Sequence, residues 1–209
     1  MMGCEFYVVN TGVRRRGLVD PSRALAQLPV HTAMSNAAHT TFVADAPQGK
    51  RLYFDGHPMS GTARGAQTYM RLMAHLPLLA QRGPRDALVI GFGVGNTAAA
   101  IALHQSIQNI DVAKLNDRVI ATAPQFASTN ASVIDAPRLR VCHGDGRAVL
   151  ELRSQHYDLI TTESPPPRVA RLRWAARLSN IASSCAGAQV RWQEVMNCLP
   201  RSLLCKAVH

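Results

Sequence analysis

The sequence is short of acids, aromatics and organised cysteines, and it contains no long apolar run. No stretch approaches the roughly 18 to 20 apolar residues of a membrane-spanning helix, so no membrane partner is expected. The opening residues, "MMGCEFYVVNTGVRRRG", carry polar and charged side chains where a signal peptide would place its apolar region. Five cysteines (Cys4, Cys142, Cys185, Cys198, Cys205) are odd in number and form no CxxC pair, which excludes a disulfide framework and fits reduced thiols in a cytoplasmic protein. His57, His75 and His104 are dispersed along the chain, so they are expected to pack or face water, and no metal site is predicted. Aromatics are 5% and charged residues 17% of the 209, but 47% are hydrophobic, enough for one substantial core. Only 13 acids face 23 bases, a net charge of +10. The excess sits mainly in the tail: from Arg168 onward seven basic residues meet one acid, Glu194. That distribution reads as a solvated helix face, and nucleic acid is not an expected partner.

Along the chain, residues 1–38 are expected to be irregular or in short helices. "TTFVAD" and "RLYFDG" flank the turn "APQGK", which predicts a small β-hairpin region over residues 39–62. A helix is predicted from about Ala63 to Leu79, with Tyr69, Leu72, Met73, Leu76 and Leu79 at helical spacing and Gly83-Pro84 beyond its end. Strands and helices then alternate. "ALVIGF" precedes a helix from about Asn96 to His104, and "IDVAKL" precedes a helix over "RVIATAPQFA" with Asp117 as its N-cap. "LRVCH" leads into a turn and short helix in "GDGRAVLELR", and "YDLITTE" is a fourth strand. Parallel neighbours require crossovers, so this alternation predicts an α/β fold, a doubly wound and mostly parallel Rossmann-like sheet over residues 63–168. Residues 169–209 are expected to form a basic helical or irregular tail with no β-α-β continuation.

The chemistry-bearing motif is "VIGFGVGN". Gly91, Gly93 and Gly95 follow a buried-type strand, so the chain can turn tightly and a ligand can lie against bare main chain around Val94. The helix behind them favours electron-rich groups at its N-terminus. The absence of a Walker lysine excludes a nucleoside triphosphate; a glycine-rich packing turn without ligand stays open. The second strand ends in "AKLND", placing Lys114 and Asn116 where a ribose diol would need an acceptor. In "HGDG", Asp145 beside Gly146 could accept from an adenine amino group, or else cap the helix that follows. Glu163 at the end of the fourth strand points to the same crevice, or is solvated.

Over roughly Thr40 to Ala170 these motifs resemble the spermidine synthase (polyamine aminopropyltransferase) family, which has the Rossmann fold of S-adenosylmethionine-dependent methyltransferases. "YMRLMAHLPLL" is similar to the family's helix at Tyr69, His75 and Pro77, "VIGFGVGN" to its glycine signature, "PRLRVCHGDGRAVL" to its adenine-side loop and "YDLITTESPPP" to its active-site strand and loop. The resemblance implies decarboxylated S-adenosylmethionine as cosubstrate, a polyamine or other amine as acceptor, and a homodimer. It implies cofactor contacts at Gly91, Gly93, Val94, Gly95, Asn116, Asp145 and Gly146, with Glu163 contacting or deprotonating the amine and Tyr69 lining the acceptor pocket.

The sequence also departs from the family. The acids expected before the tyrosine fall around Arg64 and Ala66, the glutamine on Pro58, the glycine-turn acid on Val94, the ribose acid on Lys114 and the usual base on Pro166. A charge at Arg64 or Lys114 ~7 Å from a cationic polyamine would cost roughly 2 kcal/mol at an effective dielectric of about 20. Methyl transfer from S-adenosylmethionine to another acceptor is therefore a second reading. A nicotinamide-dependent reductase, with Lys114 on a ribose phosphate, is a third, and a non-catalytic remnant or binding module a fourth. The likeness stops after Ala170, as a truncation or frame change would make it, and this predicts a sheet incomplete at its C-terminal side, with an uncovered edge on the fourth strand.

Overall fold

The computed structural model of the chain describes residues 29–35, 40–152 and 157–162. Glu163 and the tail over 169–209 lie outside the described residues. An antiparallel meander comes first: β1 (Val30–Ser35), β2 (Thr40–Ala46), β3 (Gly49–Phe54) and β4 (His57–Gly61), in that order. Two expectations are corrected here. The segment over residues 1–38 contains an edge strand at Val30–Ser35, and the two-stranded hairpin is a four-stranded sheet. The signal for β4 was Asp55-Gly56. Both residues have positive φ (48° and 74°), the geometry of a two-residue hairpin turn, and Phe54 pairs with His57 across it. The Asp55 carboxylate also accepts from the Thr40 amide at 2.8 Å, tying this turn to β2.

The second unit alternates as expected: α1 (Arg64–Leu79), β5 (Asp86–Ile90), α2 (Asn96–Ala102), β6 (Asn109–Lys114), α3 (Asp117–Ala121), α4 (Ala127–Asn130), β7 (Leu139–His143), α5 (Gly146–Leu152) and β8 (Leu159–Thr162). Its four strands are parallel in the order β7-β6-β5-β8. Among the described residues β8 is an edge. β5 is central and apolar on both sides. Ala87 and Val89 pack with Ala74 and Leu78 of α1 and with Ala98 and Ile101 of α2. Leu88 and Ile90 pack on the other face with Val149 and Leu150 of α5. A third cluster (Val43, Leu52, Met70, Val94, Val119 and Phe126) seats the antiparallel sheet against the parallel unit.

The buried face of α1 is Met70, Met73, Ala74, Pro77 and Leu78, which keeps Met73 of the expected stripe and otherwise turns the helix to a neighbouring face. Tyr69, Leu76 and Leu79 are exposed. Both stripes have helical spacing, and contact with α2 decides between them: the buried Thr97 hydroxyl donates to the Met70 carbonyl at 3.0 Å. The helix expected over "RVIATAPQFA" is broken into α3, a 3-10 turn at Ala123–Phe126 and α4. Pro124 has no amide to continue a helical ladder. The N-cap of α3 is Asn116 rather than Asp117, with its side-chain oxygen accepting from the Arg118 amide at 3.0 Å.

Two polar features stiffen the parallel unit. On the α5 side of the sheet, Asp111 of β6 is 1% exposed and accepts from Arg140 Nε (2.8 Å), Arg140 Nη2 (2.9 Å) and the Tyr157 hydroxyl (2.7 Å). The hydrogen bond to Asp111 raises the Arg140 guanidinium pKa above its ordinary value. Arg138 donates to the carbonyls of Ala102, His104 (3.5 Å) and Ile107 (2.9 Å), covering the C-terminal end of α2.

His75 and His104, expected to be apart, meet: Nδ1 of His75 lies 2.9 Å from Nε2 of His104, bridging α1 and the end of α2. No metal-ligating group of three or more occurs among the described residues. Burial, and then the charge of His75, lower the His104 pKa from 6.5. A lowered pKa in the folded state means that the unfolded chain binds the proton more readily. The stabilising contribution is therefore complete above about pH 6.5 and is lost as pH falls from there through the lowered value. Melting temperature is expected to fall between pH 7.5 and 5.5 more steeply for the native chain than for His104→Gln. Equal slopes would remove the pair from the account.

Candidate functional site

The three glycines are required by backbone geometry. Gly91, Gly93 and Gly95 have φ of 87°, 54° and 87°, and neither intervening residue has a positive φ. Left-handed glycines alternating with residues of ordinary φ fold the chain into a tight turn, and a side chain at any of the three would be strained. Main-chain bonds brace the turn: the Gly91 amide donates to the Ala113 carbonyl and the Gly95 amide to the Phe92 carbonyl, both at 2.9 Å.

The three are not equivalent in access. Gly91 and Gly93 are partly exposed, whereas Gly95 is buried. A Cβ at Gly95 would lie 2.7 Å from Phe92 Cζ and 3.2 Å from Asn130 Cβ. Phe92 folds beneath the turn into the core between sheet and helices. Val94 is 0% exposed, with its side chain in the seam cluster, so the cofactor contact expected there has no accessible surface, main chain included. Gly95 and Gly146 serve packing: a Cβ at Gly146 would sit 2.6 Å from Ile90 Cγ2, so the missing side chain lets α5 close on β5. Asn96 is fully buried, and neither polar atom of its side chain has a hydrogen-bond partner among the described residues. At zero exposure it is out of a ligand's reach.

Around this turn the parallel strands bring their C-terminal ends to one edge of the sheet. Lys114 ends β6 and Asn116 follows it, and the Gly144 amide donates to the Lys114 carbonyl at 3.1 Å, joining the ends of β6 and β7. Asn116 is committed as the α3 cap, and its amide lies 3.5 Å from the Thr41 hydroxyl of the antiparallel sheet. The Asp145 carbonyl accepts from the Val149 amide in the first turn of α5, and its residue is half-buried beside Gly144 (φ 145°). His143 Nδ1 and Asp117 Oδ1 meet at 2.7 Å on the exposed rim. Tyr69, on α1, is 46% exposed. Thus Gly91, Gly93, Lys114, Asn116 and Asp145 share the C-terminal edge of the parallel sheet, where ligands of open α/β sheets bind. Sequence reasoning missed Phe92 and Asn130, which shape the turn from below and are separated from each other by 38 residues.

Residues 66–173 match the family described as spermine/spermidine synthase domain. Among curated relatives, a polyamine aminopropyltransferase of Desulforudis audaxviator is 26% identical over 138 residues, covering 66% of this chain and 50% of that one. Spermidine synthase 2 of Arabidopsis thaliana is 32% identical over 123 residues (58% and 36%). Putrescine N-methyltransferase 2 of Nicotiana attenuata is 32% identical over 123 residues (58% and 33%). The chain therefore spans half or less of the length of these relatives. A spermidine synthase crystallised with the transition-state analogue AdoDATO superposes with a TM-score of 0.68 at 20% identity, over 78% of this chain and 55% of that one. The spermidine synthase of Thermotoga maritima gives 0.60 at 21% identity, over 65% and 48%. These two likenesses carry the fold: a parallel α/β sheet similar to that of spermidine synthase, as read from the alternation of strands and helices. No described helix is long and apolar enough to cross a membrane.

Proposed function

We propose, on the premise that this chain belongs to the spermine/spermidine synthase domain family, that it binds an adenosyl sulfonium cosubstrate and takes part in aminopropyl transfer to an amine. The observation that carries the reading is the partly exposed, left-handed main chain of Gly91 and Gly93 at that sheet edge, with Asp145 at the neighbouring strand ends. The residues fit such a group: a Cβ at either glycine would be strained and would stand between ligand and main chain. Decarboxylated S-adenosylmethionine supplies, when bound, an electrophilic carbon and a thioether leaving group.

The chain's own contributions are binding, orientation and proton handling. Gly91 and Gly93 would face the sulfonium side, and the Asp145 carboxylate would accept from the base. Asn116 would contribute through its amide rather than its oxygen, which is engaged as a cap. Glu163 would take the proton of the acceptor amine, since only an unprotonated nitrogen attacks. Tyr69 would border the acceptor.

Methyl transfer is the second reading, favoured by the putrescine N-methyltransferase, which is as similar to this chain as the plant spermidine synthase. A thermal-shift titration distinguishes the two. A ligand at 100 times its Kd stabilises the native state by about 2.7 kcal/mol. Decarboxylated S-adenosylmethionine and methylthioadenosine are expected to raise the melting temperature by several degrees, more than S-adenosylmethionine does. The reverse order supports methyl transfer; no shift with any of the three ends both readings.

A further inference from the structure

We propose that Asn130 is a positioning residue for the adenosyl ligand: it clamps the Val94 carbonyl and thereby holds the Gly91–Gly95 turn in its ligand-facing shape. The inference rests on the adenosyl reading given above, and deepens it.

Asn130 is the last residue of α4 and is 0% exposed. Its amide nitrogen donates to the Val94 carbonyl at 2.9 Å and to the Ala123 carbonyl at 3.0 Å, and its oxygen accepts from the Ser132 amide at 2.9 Å. Both donor hydrogens are thus spent on carbonyls from two different elements, one of them 36 residues away. The peptide unit between Val94 and Gly95 is held at both ends: its carbonyl by Asn130, its N–H by the Phe92 carbonyl. With that unit pinned, Gly93 and Gly95 cannot exchange their left-handed backbone for the other conformations a glycine readily visits. The exposed main chain at Gly91 and Gly93 is then presented in one arrangement, which lowers the ordering cost of binding.

The chain after Asn130 is strained to make this clamp. Ala131 and Ser132 both have φ of 51°, a region that side-chain-bearing residues seldom adopt, and in succession. The Ser132 amide bond to Asn130 is what holds the second of them. Backbone outliers of this kind persist only where surrounding contacts over-determine them. Here they turn the chain so that Asn130 points back under the glycines, with its Cβ 3.2 Å from where a Gly95 Cβ would lie.

The test compares Asn130→Asp, which keeps shape and the bond from Ser132 but replaces the donor by an acceptor, with Thr122→Val. Thr122 is equally buried, and its hydroxyl donates locally to the Val119 carbonyl at 2.8 Å without touching the turn. The affinity for methylthioadenosine is measured by calorimetry, and amide hydrogen exchange is followed over residues 91–96. Asn130→Asp is expected to weaken binding tenfold or more and to speed exchange in the turn by a similar factor. Thr122→Val should change both less than twofold, although it too lowers the melting temperature. Asn130→Ser, which keeps one donor, should fall between and serves where the aspartate variant does not fold. Folded Asn130 variants with affinity and turn exchange within twofold of the native chain overturn the clamp, and faster exchange with unchanged affinity overturns its role in binding. Absence of binding by the native chain defeats the adenosyl reading itself, and the exchange measurement then decides the clamp alone.

Discussion

Gly95→Ala is expected to be among the most damaging single-methyl changes in the chain. At φ of 87° an alanine gives up roughly 1 to 2 kcal/mol in backbone energy alone. Its Cβ would also sit 2.7 Å and 3.1 Å from two atoms of the Phe92 ring and 3.2 Å from Asn130 Cβ. The ring is fully buried and cannot swing into solvent, so overpacking adds about 1 to 3 kcal/mol. The sum, about 2 to 5 kcal/mol, is a large part of the 5 to 15 kcal/mol typical of a domain. Gly83→Ala separates the two contributions: Gly83 also has positive φ (63°), but an added Cβ there meets nothing within 4 Å. It should cost only the backbone component. Denaturant midpoints measure both variants, and a Gly95→Ala loss no larger than that of Gly83→Ala would sink the packing argument. Ligand affinity should fall in the Gly95 variant alone, because only that residue braces the turn.

Arg140→Ala is expected to cost about 3 to 5 kcal/mol, even though the arginine side chain is itself 55% exposed. A surface arginine paired with a surface acid would contribute next to nothing. The asymmetry lies in the partner. Asp111 is buried in a central strand and takes two of its three described side-chain hydrogen bonds from the guanidinium. Without it, a buried carboxylate loses both guanidinium hydrogen bonds and its countercharge. Removing the acid instead leaves a guanidinium that can reach water, and the chief loss is the buried Tyr157 hydroxyl's acceptor, about 1 to 3 kcal/mol. Asp111→Leu combined with Tyr157→Phe removes that loss too, and should be milder than Arg140→Ala. Chemical denaturation of the three chains gives the order directly. An Arg140→Ala variant milder than the double one would show that Asp111 is better solvated than its burial implies.

Much of the fold was legible because it is local. β5 reads as a continuous apolar run since it is covered on both faces, and α1 ends close to its expected position. The alternation of strands and helices carried the parallel topology. Asp55-Gly56 is the one local mark of β4, and the strand after it, "HPMSG", has no apolar alternation to extend that signal. β1 was missed because it is an edge strand whose side chains alternate between exposed and half-buried, with no fully buried face to mark it. The register of α1 failed for a different reason. Two apolar stripes that overlap at Met73 satisfy the same helical period, and the contact from Thr97 to Met70 selects the second. The histidine pair was invisible because its members lie 29 residues apart and meet only through helix packing.

What the sequence determined by itself was backbone conformation at the glycine turn. Glycine at positions 91, 93 and 95 permits the three left-handed residues that the turn adopts, and that preference belongs to each residue alone. Tertiary structure decided which of them a ligand could touch. Gly95 is covered by Phe92 and Asn130, Gly146 by Ile90, and the Val94 side chain by the seam between the sheets. Those contacts join residues brought together by crossovers, so their effect depends on the positions of other elements rather than on any spacing along the chain. The same holds for Asn130 and Asp111: each is an ordinary polar residue in its own segment, and burial against distant partners gives it its role.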